Sequence, residues 1–158
     1  MSSRVLVAYE RPDGRFDLHE ARGERLGSRI TTRTPFGGRG RPVDPVPTER
    51  GLDRAALPSR VAFGRHESLV LVASDHETRT FVALPFGVPD AAGGGGVLVE
   101  RHGPGDESWL RGWVGGFRAA LAEAVAPGLD AGEASDLLRA EAAGFRGEGR
   151  GVLRPGGS

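Results

Sequence analysis

Apolar residues follow a strand-like pattern over the first two thirds of the chain. Residues 4–10 form a short apolar run, and residues 16–20 alternate apolar with polar side chains after the turn Pro12-Asp13-Gly14. Two such runs around a Pro-Asp-Gly turn predict a β-hairpin. Residues 68–73 and 78–84 flank a second polar turn in the same way, so they predict a second hairpin.

The segments between and after the hairpins give weaker patterns. Residues 97–100 predict a fifth strand, and residues 26–32 are compatible with a further short strand. Residues 52–63 are expected to contain a short helix that Pro58 begins or interrupts. Residues 33–50 are rich in Pro, Gly and Arg and are expected to form a long connection.

The last third changes to a helical period. Asp106 is a candidate N-cap for a helix that ends near Pro127-Gly128, and a second helix is expected from Asp130, with Glu133 three residues on. The first helix carries one broad apolar stripe: Leu110, Trp113, Val114, Phe117, Leu121, Ala124 and Val125. The second presents Ala134, Leu137, Leu138 and Phe145, interrupted by Glu141.

Strands first and helices last predict an α+β fold. We expect one domain over residues 1–146, with a mainly antiparallel five-stranded sheet and two C-terminal helices on one face. Residues 147–158 have no period and predict a disordered tail.

Composition removes many kinds of chemistry. The chain of 158 residues contains no Lys, Cys, Asn or Gln, so all 21 basic residues are Arg. The absence of Cys excludes thiol nucleophiles, disulfides and Cys-ligated zinc. The absence of Lys excludes a P-loop lysine and Schiff-base catalysis. No motif predicts a cofactor or a metal, and the enzyme hypothesis is the less favoured one.

Charge and hydropathy predict a cytoplasmic protein without a membrane segment. The formal net charge is zero, which gives no overall attraction to nucleic acid or membranes and makes DNA an unexpected partner. No apolar run approaches the ~20 residues that span a bilayer, and the N-terminus lacks a signal-peptide pattern.

The arginine-rich stretch is the first candidate for function. Residues 22–41 contain six Arg against one acid, with Phe36 among glycines. Guanidinium groups can bind phosphates while an aromatic ring stacks on a base. The alternative is that Arg fills ordinary surface positions, because the chain has no Lys. The candidate contact residues, with two from the first C-terminal helix, are Arg29, Arg33, Phe36, Arg39, Arg41, Trp109 and Arg111.

The histidines are the second candidate. His19 and His66 could converge at one end of the sheet if the two hairpins lie side by side, with Glu10 and Glu67 nearby. That arrangement would suit a small metal-dependent or histidine-based hydrolase. None of the four histidines has the paired spacing of a metal motif, so solvated or core histidines are the simpler interpretation.

We interpret two glycine-containing segments as structural features without a binding role. Residues 93–96 lead into a strand instead of a helix, which favours a flexible connection over a phosphate loop. Gly112, Gly115 and Gly116 each cost about 1 kcal/mol inside a helix, so we expect close packing of that helix on the sheet as compensation.

The opening of the chain resembles a family of small haloarchaeal proteins of unknown function. The residues concerned are Leu-Val-Ala-Tyr-Glu-Arg-Pro-Asp-Gly at 6–14 and Phe-Asp-Leu-His at 16–19. The similarity continues at residues 34–38, 43–45, 66–67 and 110–113 and covers most of the first 125 residues. Because the family has no established activity, the resemblance implies the extent of a domain and no reaction.

These observations favour a binding module over an enzyme. We expect a protein or ribonucleoprotein partner that is contacted through the arginine-rich loops. The alternatives are the histidine-based hydrolase and a structural subunit of a larger assembly, and the sequence does not separate the binding module from the structural subunit.

Overall fold

The chain forms an α+β structure around one mixed sheet. The structure is a computed structural model that describes residues 4–23, 26–85, 96–103, 105–125 and 131–153. The sheet has seven strands in the order β3-β2-β1-β4-β5-β6-β7. The strands are β1 (Arg4–Glu10), β2 (Phe16–Arg22), β3 (Glu49–Leu52), β4 (Ser68–Val72), β5 (Thr78–Pro85), β6 (Gly96–Glu100) and β7 (Val152–Leu153).

Both predicted hairpins are present, and a parallel pair of strands joins them. β1 pairs with β2 and β4 pairs with β5 in antiparallel register, whereas β1 and β4 are parallel. The expected five-stranded, mainly antiparallel sheet is therefore corrected to a mixed sheet of seven. Sequence periodicity identified the hairpins but missed β3 and β7, because strands of four and two residues carry too little pattern.

The two faces of the sheet bury different clusters. Leu6, Leu69 and Phe81 lie on one face beneath a 3₁₀ helix, Arg54–Arg60. On the opposite face, which we call the helix face, the apolar residues form two separate groups. Val5, Val7 and Val70 belong to the first group, and a second group surrounds Val82 and Val99. An open strip of sheet lies between the two groups.

The C-terminal helices α2 (Asp106–Val125) and α3 (Ala131–Ala143) cover the second group. Leu110 and Val114 of α2 are buried there, together with Phe145, as the apolar stripe predicted. Leu137 is 44% exposed, contrary to its predicted core position. Asp130 lies outside the described residues. Ala134 and Leu138 belong to α3, but their side chains are not described.

The glycines of α2 do not mediate close packing. A Cβ at Gly112, Gly115 or Gly116 would meet no atom within 4 Å. All three lie on the exposed side of the helix, so their expected packing role on the sheet is wrong. Glycines 93–95 lie outside the described residues, and Gly96 begins β6 beneath the Phe63 ring.

Two further expectations change. Residues 26–29 form a short helix, α1 (Leu26–Arg29), where a strand was considered. Leu26 and Ile30, four residues apart, both reach the core from one side of this turn. The C-terminal residues 147–158 were expected to be disordered. Residues 154–158 lie outside the described residues, but Val152 pairs with Val99 and is buried. Short, Gly-rich segments give no periodic signal even when they complete a sheet edge.

Candidate functional site

An arginine-lined groove lies where β1 begins and β2 ends. It has a volume of about 550 Å³, and its walls include Glu20, Asp44 and several small residues. Four separate segments of the chain each contribute one arginine to it: Arg4, Arg22, Arg41 and Arg65. We call these four residues and the space between them the arginine groove.

Arg4 and Arg22 lie directly opposite each other on the adjacent strands β1 and β2. They are register partners at the open end of the β1–β2 hairpin, on the same face of the pair. Like charges directly opposite each other on antiparallel strands are destabilising. Neither guanidinium has a carboxylate or hydrogen-bond partner in the part of the chain that the structure describes. The pair is therefore a concentration of positive charge that the fold leaves uncompensated.

Arg41 adds backbone strain to this charge. Its φ is +43°, in the left-handed region that non-glycine residues seldom adopt. The turn is closed by the Arg41 N–H, which donates to the Gly38 carbonyl at 3.1 Å. Its side chain is exposed, as is that of Arg65. Strain of this kind is often found at binding sites, where it fixes the direction of a side chain.

The two carboxylates that line the groove, those of Glu20 and Asp44, contact groups other than the four arginines. Glu20 Oε1 lies 3.4 Å from His66 Nε2, and Asp44 Oδ1 accepts from the Val46 N–H at 3.0 Å. No described arginine of the groove forms an ion pair with either of them. The groove therefore presents more positive than negative charge to a ligand.

Arg29, Arg33 and Arg39 continue the positive surface beside the groove. One guanidinium nitrogen of Arg29 donates to the Arg39 carbonyl at 2.9 Å, so Arg29 holds the loop together. Arg33 and Arg39 have exposed side chains. Of the predicted arginines, Arg41 alone lines the groove.

Phe36 is half-buried and packs against two other rings. Its ring lies 5.8 Å from that of Tyr9 and 5.9 Å from that of His19. Tyr9 donates a short hydrogen bond to the Pro35 carbonyl, and burial raises the pKa of Tyr9 to about 12. The three rings anchor the arginine-rich loop and cover part of the Phe36 ring, whose stacking on a base stays a prediction.

His19 and His66 do not share a site. His19 is buried on the helix face, where Nδ1 lies 2.7 Å from the Asp44 carbonyl. His66 reaches Glu20, which points to the opposite face, and its Nδ1 accepts from the Ala62 N–H. The two hairpins do lie side by side, through β1 and β4. His19 and Glu20 are consecutive residues of β2 and point to opposite faces, so His66, which contacts Glu20, lies on the other side of the sheet from His19.

The acids of the hydrolase hypothesis are also apart from each other. Glu10 Oε1 accepts from the Ser74 N–H at the second hairpin turn, at 3.4 Å. The Glu67 side chain is exposed, and its carbonyl accepts from Arg111. No group of three metal-ligating side chains occurs within the described residues.

Trp109 and Arg111 begin α2 in different environments. Trp109 is 52% exposed, although one edge of its ring meets Phe145. Arg111 donates to the carbonyls of Ala83 and Glu67 at 3.2 and 3.0 Å and pairs with Glu107. Arg111 is thereby a structural link between α2 and the sheet, whereas Trp109 is available for contact.

Two arginines outside α2, Arg79 on β5 and Arg150 before β7, are also bound to carboxylates. Arg79 binds Glu100 through two nitrogens, at 2.7 and 2.9 Å, and this hydrogen bonding is the main cause that lowers the pKa of Glu100 to about 2. Arg150 pairs with Asp106, which lowers the pKa of that carboxyl. We call these two ion pairs the latch, because they connect β5, β6, α2 and the C-terminal segment.

Arg4, Arg22 and Arg65 were missed by sequence analysis as site residues. The hairpin turn at Pro12-Asp13-Gly14 carries the signal for two of them, because its centre fixes a register in which Arg4 faces Arg22. Arg65 had no such signal, since a tertiary contact between separate turns places it in the groove.

Comparisons with known proteins give a partial match and no activity. A model of a family of unknown function, DUF6735, matches residues 1–42, about a quarter of the chain. This range contains the first hairpin and the arginine-rich loop. Haloarchaeal origin and the similarity beyond residue 42 stay predictions. No curated protein and no solved structure matches the chain. Among the described residues, no helix has both the length and the apolar character of a membrane span.

Proposed function

We propose that the protein is a binding module that contacts the RNA of a ribonucleoprotein partner through the arginine groove. The directly opposed, unpaired Arg4 and Arg22 carry this proposal. A phosphate between them would replace a repulsion with two charge-assisted hydrogen bonds, which are stronger than neutral ones. Protein folds rarely retain like charges in register without such a compensation.

Contact with the RNA backbone is favoured over contact with the bases. Phe36, the aromatic residue of the predicted contact loop, is packed against Tyr9 and His19 and is only partly exposed. Base stacking is the usual source of affinity for unpaired bases, while arginines bind phosphate regardless of sequence. We therefore expect binding that depends weakly on RNA sequence and strongly on salt.

The test is a salt titration of RNA binding. The probe is a fluorescein-labelled single-stranded RNA, with binding followed by fluorescence anisotropy. If all four arginines contact phosphates, log K should fall with log[salt] with a slope of about −3. Replacing two of them in Arg22→Glu/Arg65→Glu should weaken binding at least tenfold and reduce the slope to about −1.5.

Arg50→Glu/Arg54→Glu is the matched control for this experiment. It makes the same charge change at two exposed arginines on β3 and the 3₁₀ helix, away from the groove. Its affinity and slope should stay close to those of the unmodified protein. Equal losses in the two double variants would mean that net charge, and not the groove, determines binding, and the proposal would be wrong.

A protein partner is the second candidate, and the exposure of Trp109 favours it. Exposed Trp is enriched among the residues that dominate protein interfaces. A tagged pull-down with and without nuclease separates the two candidates. Partners lost after nuclease treatment support the RNA proposal, whereas a stoichiometric, nuclease-resistant partner lost in Trp109→Ala supports a protein interface or a structural subunit.

A further inference from the structure

The arginine groove carries more positive charge than one phosphodiester of an RNA chain can neutralise. Among the described residues, its lining has four arginines against two carboxylates, Glu20 and Asp44, which leaves an excess of two positive charges. A phosphate within a nucleic-acid chain carries one negative charge. A terminal phosphomonoester carries nearly two at neutral pH, because its second pKa is about 6. The terminal group therefore matches the charge of the groove better than an internal phosphate does.

Arg4 and Arg22 are placed so that one phosphate can contact both of them. They are register partners on β1 and β2. Side chains directly opposite each other on antiparallel strands have Cβ atoms about 4.5–5.5 Å apart. This spacing lets the two guanidinium groups bind different oxygens of the same phosphate. A terminal phosphate offers them three acceptor oxygens, whereas a phosphodiester has one fewer.

The segment that carries Arg41 is fixed to the end of β2. The Arg22 N–H donates to the Pro42 carbonyl at 3.0 Å. Val43, the next residue, is fully buried and forms an antiparallel bridge with Ala21. The backbone of Arg41 is therefore held beside Arg22 before a ligand binds. Such preorganisation reduces the entropic cost of binding.

The size of the groove suits the end of an RNA chain. Its volume of about 550 Å³ lies within the range of roughly 300–1,000 Å³ that is typical of sites for one small molecule. Proteins that bind the interior of a single strand instead use a longer positive groove, which follows the backbone over several nucleotides. Four arginines around a space of this size fit one terminal nucleotide with its phosphate.

We propose that the arginine groove binds the terminal phosphomonoester of an RNA chain, with this phosphate between Arg4 and Arg22. Both guanidinium groups donate charge-assisted hydrogen bonds to its oxygens. Arg41 and Arg65, which come from two separate loops, contact the phosphodiester next to the terminal nucleotide. This inference rests on the RNA binding proposed above and specifies which part of the RNA is bound.

The test is a competition experiment with RNAs of one sequence that differ only at their ends. Unlabelled RNAs with a 5′-phosphate, a 3′-phosphate or hydroxyls at both ends displace a fluorescein-labelled RNA from the full chain. A terminal phosphate should raise the affinity at least about fivefold, the size of one exposed charge pair. The stronger of the two phosphorylated competitors identifies the bound end, and equal strength means that either end is bound. If all three RNAs bind equally tightly, this inference is wrong and the RNA-binding function stands; if none binds, both are wrong.

Two further competitors separate the charge of the terminal phosphate from the RNA chain. A methyl ester of the preferred terminal phosphate keeps the group but has one negative charge less, so it should bind like the hydroxyl-ended RNA. Adenosine 5′-monophosphate has the terminal phosphate without a chain, so it should bind at least about tenfold more weakly than the phosphorylated RNA. Equal binding of the methyl ester and the free terminal phosphate would overturn the proposal, as would equal binding of the mononucleotide and the RNA.

Variants test the assignment to the opposed pair. Arg22→Gln should reduce the preference for phosphorylated RNA to less than about twofold, because the terminal phosphate loses one of its two charged partners. Arg65→Gln should weaken the binding of phosphorylated and hydroxyl-ended RNA by the same factor, so the preference should remain. Arg50→Gln, at an exposed position of β3, is the control and should change neither the affinity nor the preference. A full preference in Arg22→Gln, or its loss in Arg65→Gln as well, would overturn the proposal.

Discussion

The arginines of the latch are bound to carboxylates and carbonyl oxygens, whereas those of the arginine groove have no such partner within the described residues. In the latch, Arg79 and Arg150 pair with Glu100 and Asp106, whose side chains are 14% and 15% exposed. In the groove, Arg4 faces Arg22 across the hairpin. The same residue type therefore stabilises the fold in one region and weakens it in the other.

This difference shows why a net charge of zero is compatible with a binding surface for an anion. Positive and negative charges are equal over the chain, yet they are paired in one region and unpaired in another. What matters for a ligand is the local excess of charge, since salt largely screens charges that lie more than about 10 Å away. Pairing, and not composition, separates the arginines that link parts of the fold from those that are free to bind a ligand.

Breaking the latch should give the largest effect on stability. Arg150→Ala leaves the mostly buried Asp106 without its ion pair and removes a hydrogen bond to the Glu100 carbonyl. We expect a loss of about 3 kcal/mol in the free energy of unfolding, measured by urea denaturation. The exposed Arg50→Ala is the control and should change it by less than about 0.5 kcal/mol. Similar losses of unfolding free energy in Arg150→Ala and Arg50→Ala would mean that paired and unpaired arginines contribute equally to stability, contrary to this comparison.

Acid should destabilise the fold through the latch as Glu100 becomes protonated. The pKa of Glu100 is about 2 in the folded protein against 4.5 for a free carboxyl, so its contribution is present above pH 4.5 and is lost as the pH falls through 2. We expect on the order of 2 kcal/mol of unfolding free energy to be lost over this window. Arg79→Ala removes the main cause of the lowered Glu100 pKa, so the unfolding free energy should depend less on pH in this variant. An unchanged pH dependence would contradict the assignment of the loss to Glu100.

Reversing one charge in the groove should have the smallest and opposite effect. Arg22→Glu replaces a like-charge pair with an ion pair opposite Arg4, so the unfolding free energy should rise by about 0.5 kcal/mol. RNA affinity should fall in the same variant. Arg50→Glu on β3 serves as control for both measurements. A loss of stability in Arg22→Glu would indicate that Arg22 supports the fold, as the latch arginines do.

Sequence analysis predicted the elements whose pattern is local. The two hairpins, the fifth strand and the apolar stripe with Leu110 and Val114 follow from periodicity that extends over several residues. β7 was missed because two residues have no period, and α1 was taken for a strand because Leu26 and Ile30 fit either structure over so short a length.

The candidate site was predicted only in part. The arginine-rich loop was identified from composition, and Arg41 does line the groove. Composition could not show that Phe36 packs against Tyr9 and His19, or that Arg111 is bound to backbone carbonyls. Both outcomes depend on residues 17 or more positions away, which no local pattern reports.

The amino-acid sequence alone determined the hairpins, the C-terminal helices, and the exclusion of thiol and lysine chemistry. These depend on neighbouring residues, on turn geometry or on residue types that are simply absent. Only the tertiary structure decided which arginines are paired, that His19 and His66 lie on opposite faces, and that four arginines from separate segments line one groove. Those outcomes depend on contacts between distant segments, whose energies appear only when the sheet is assembled.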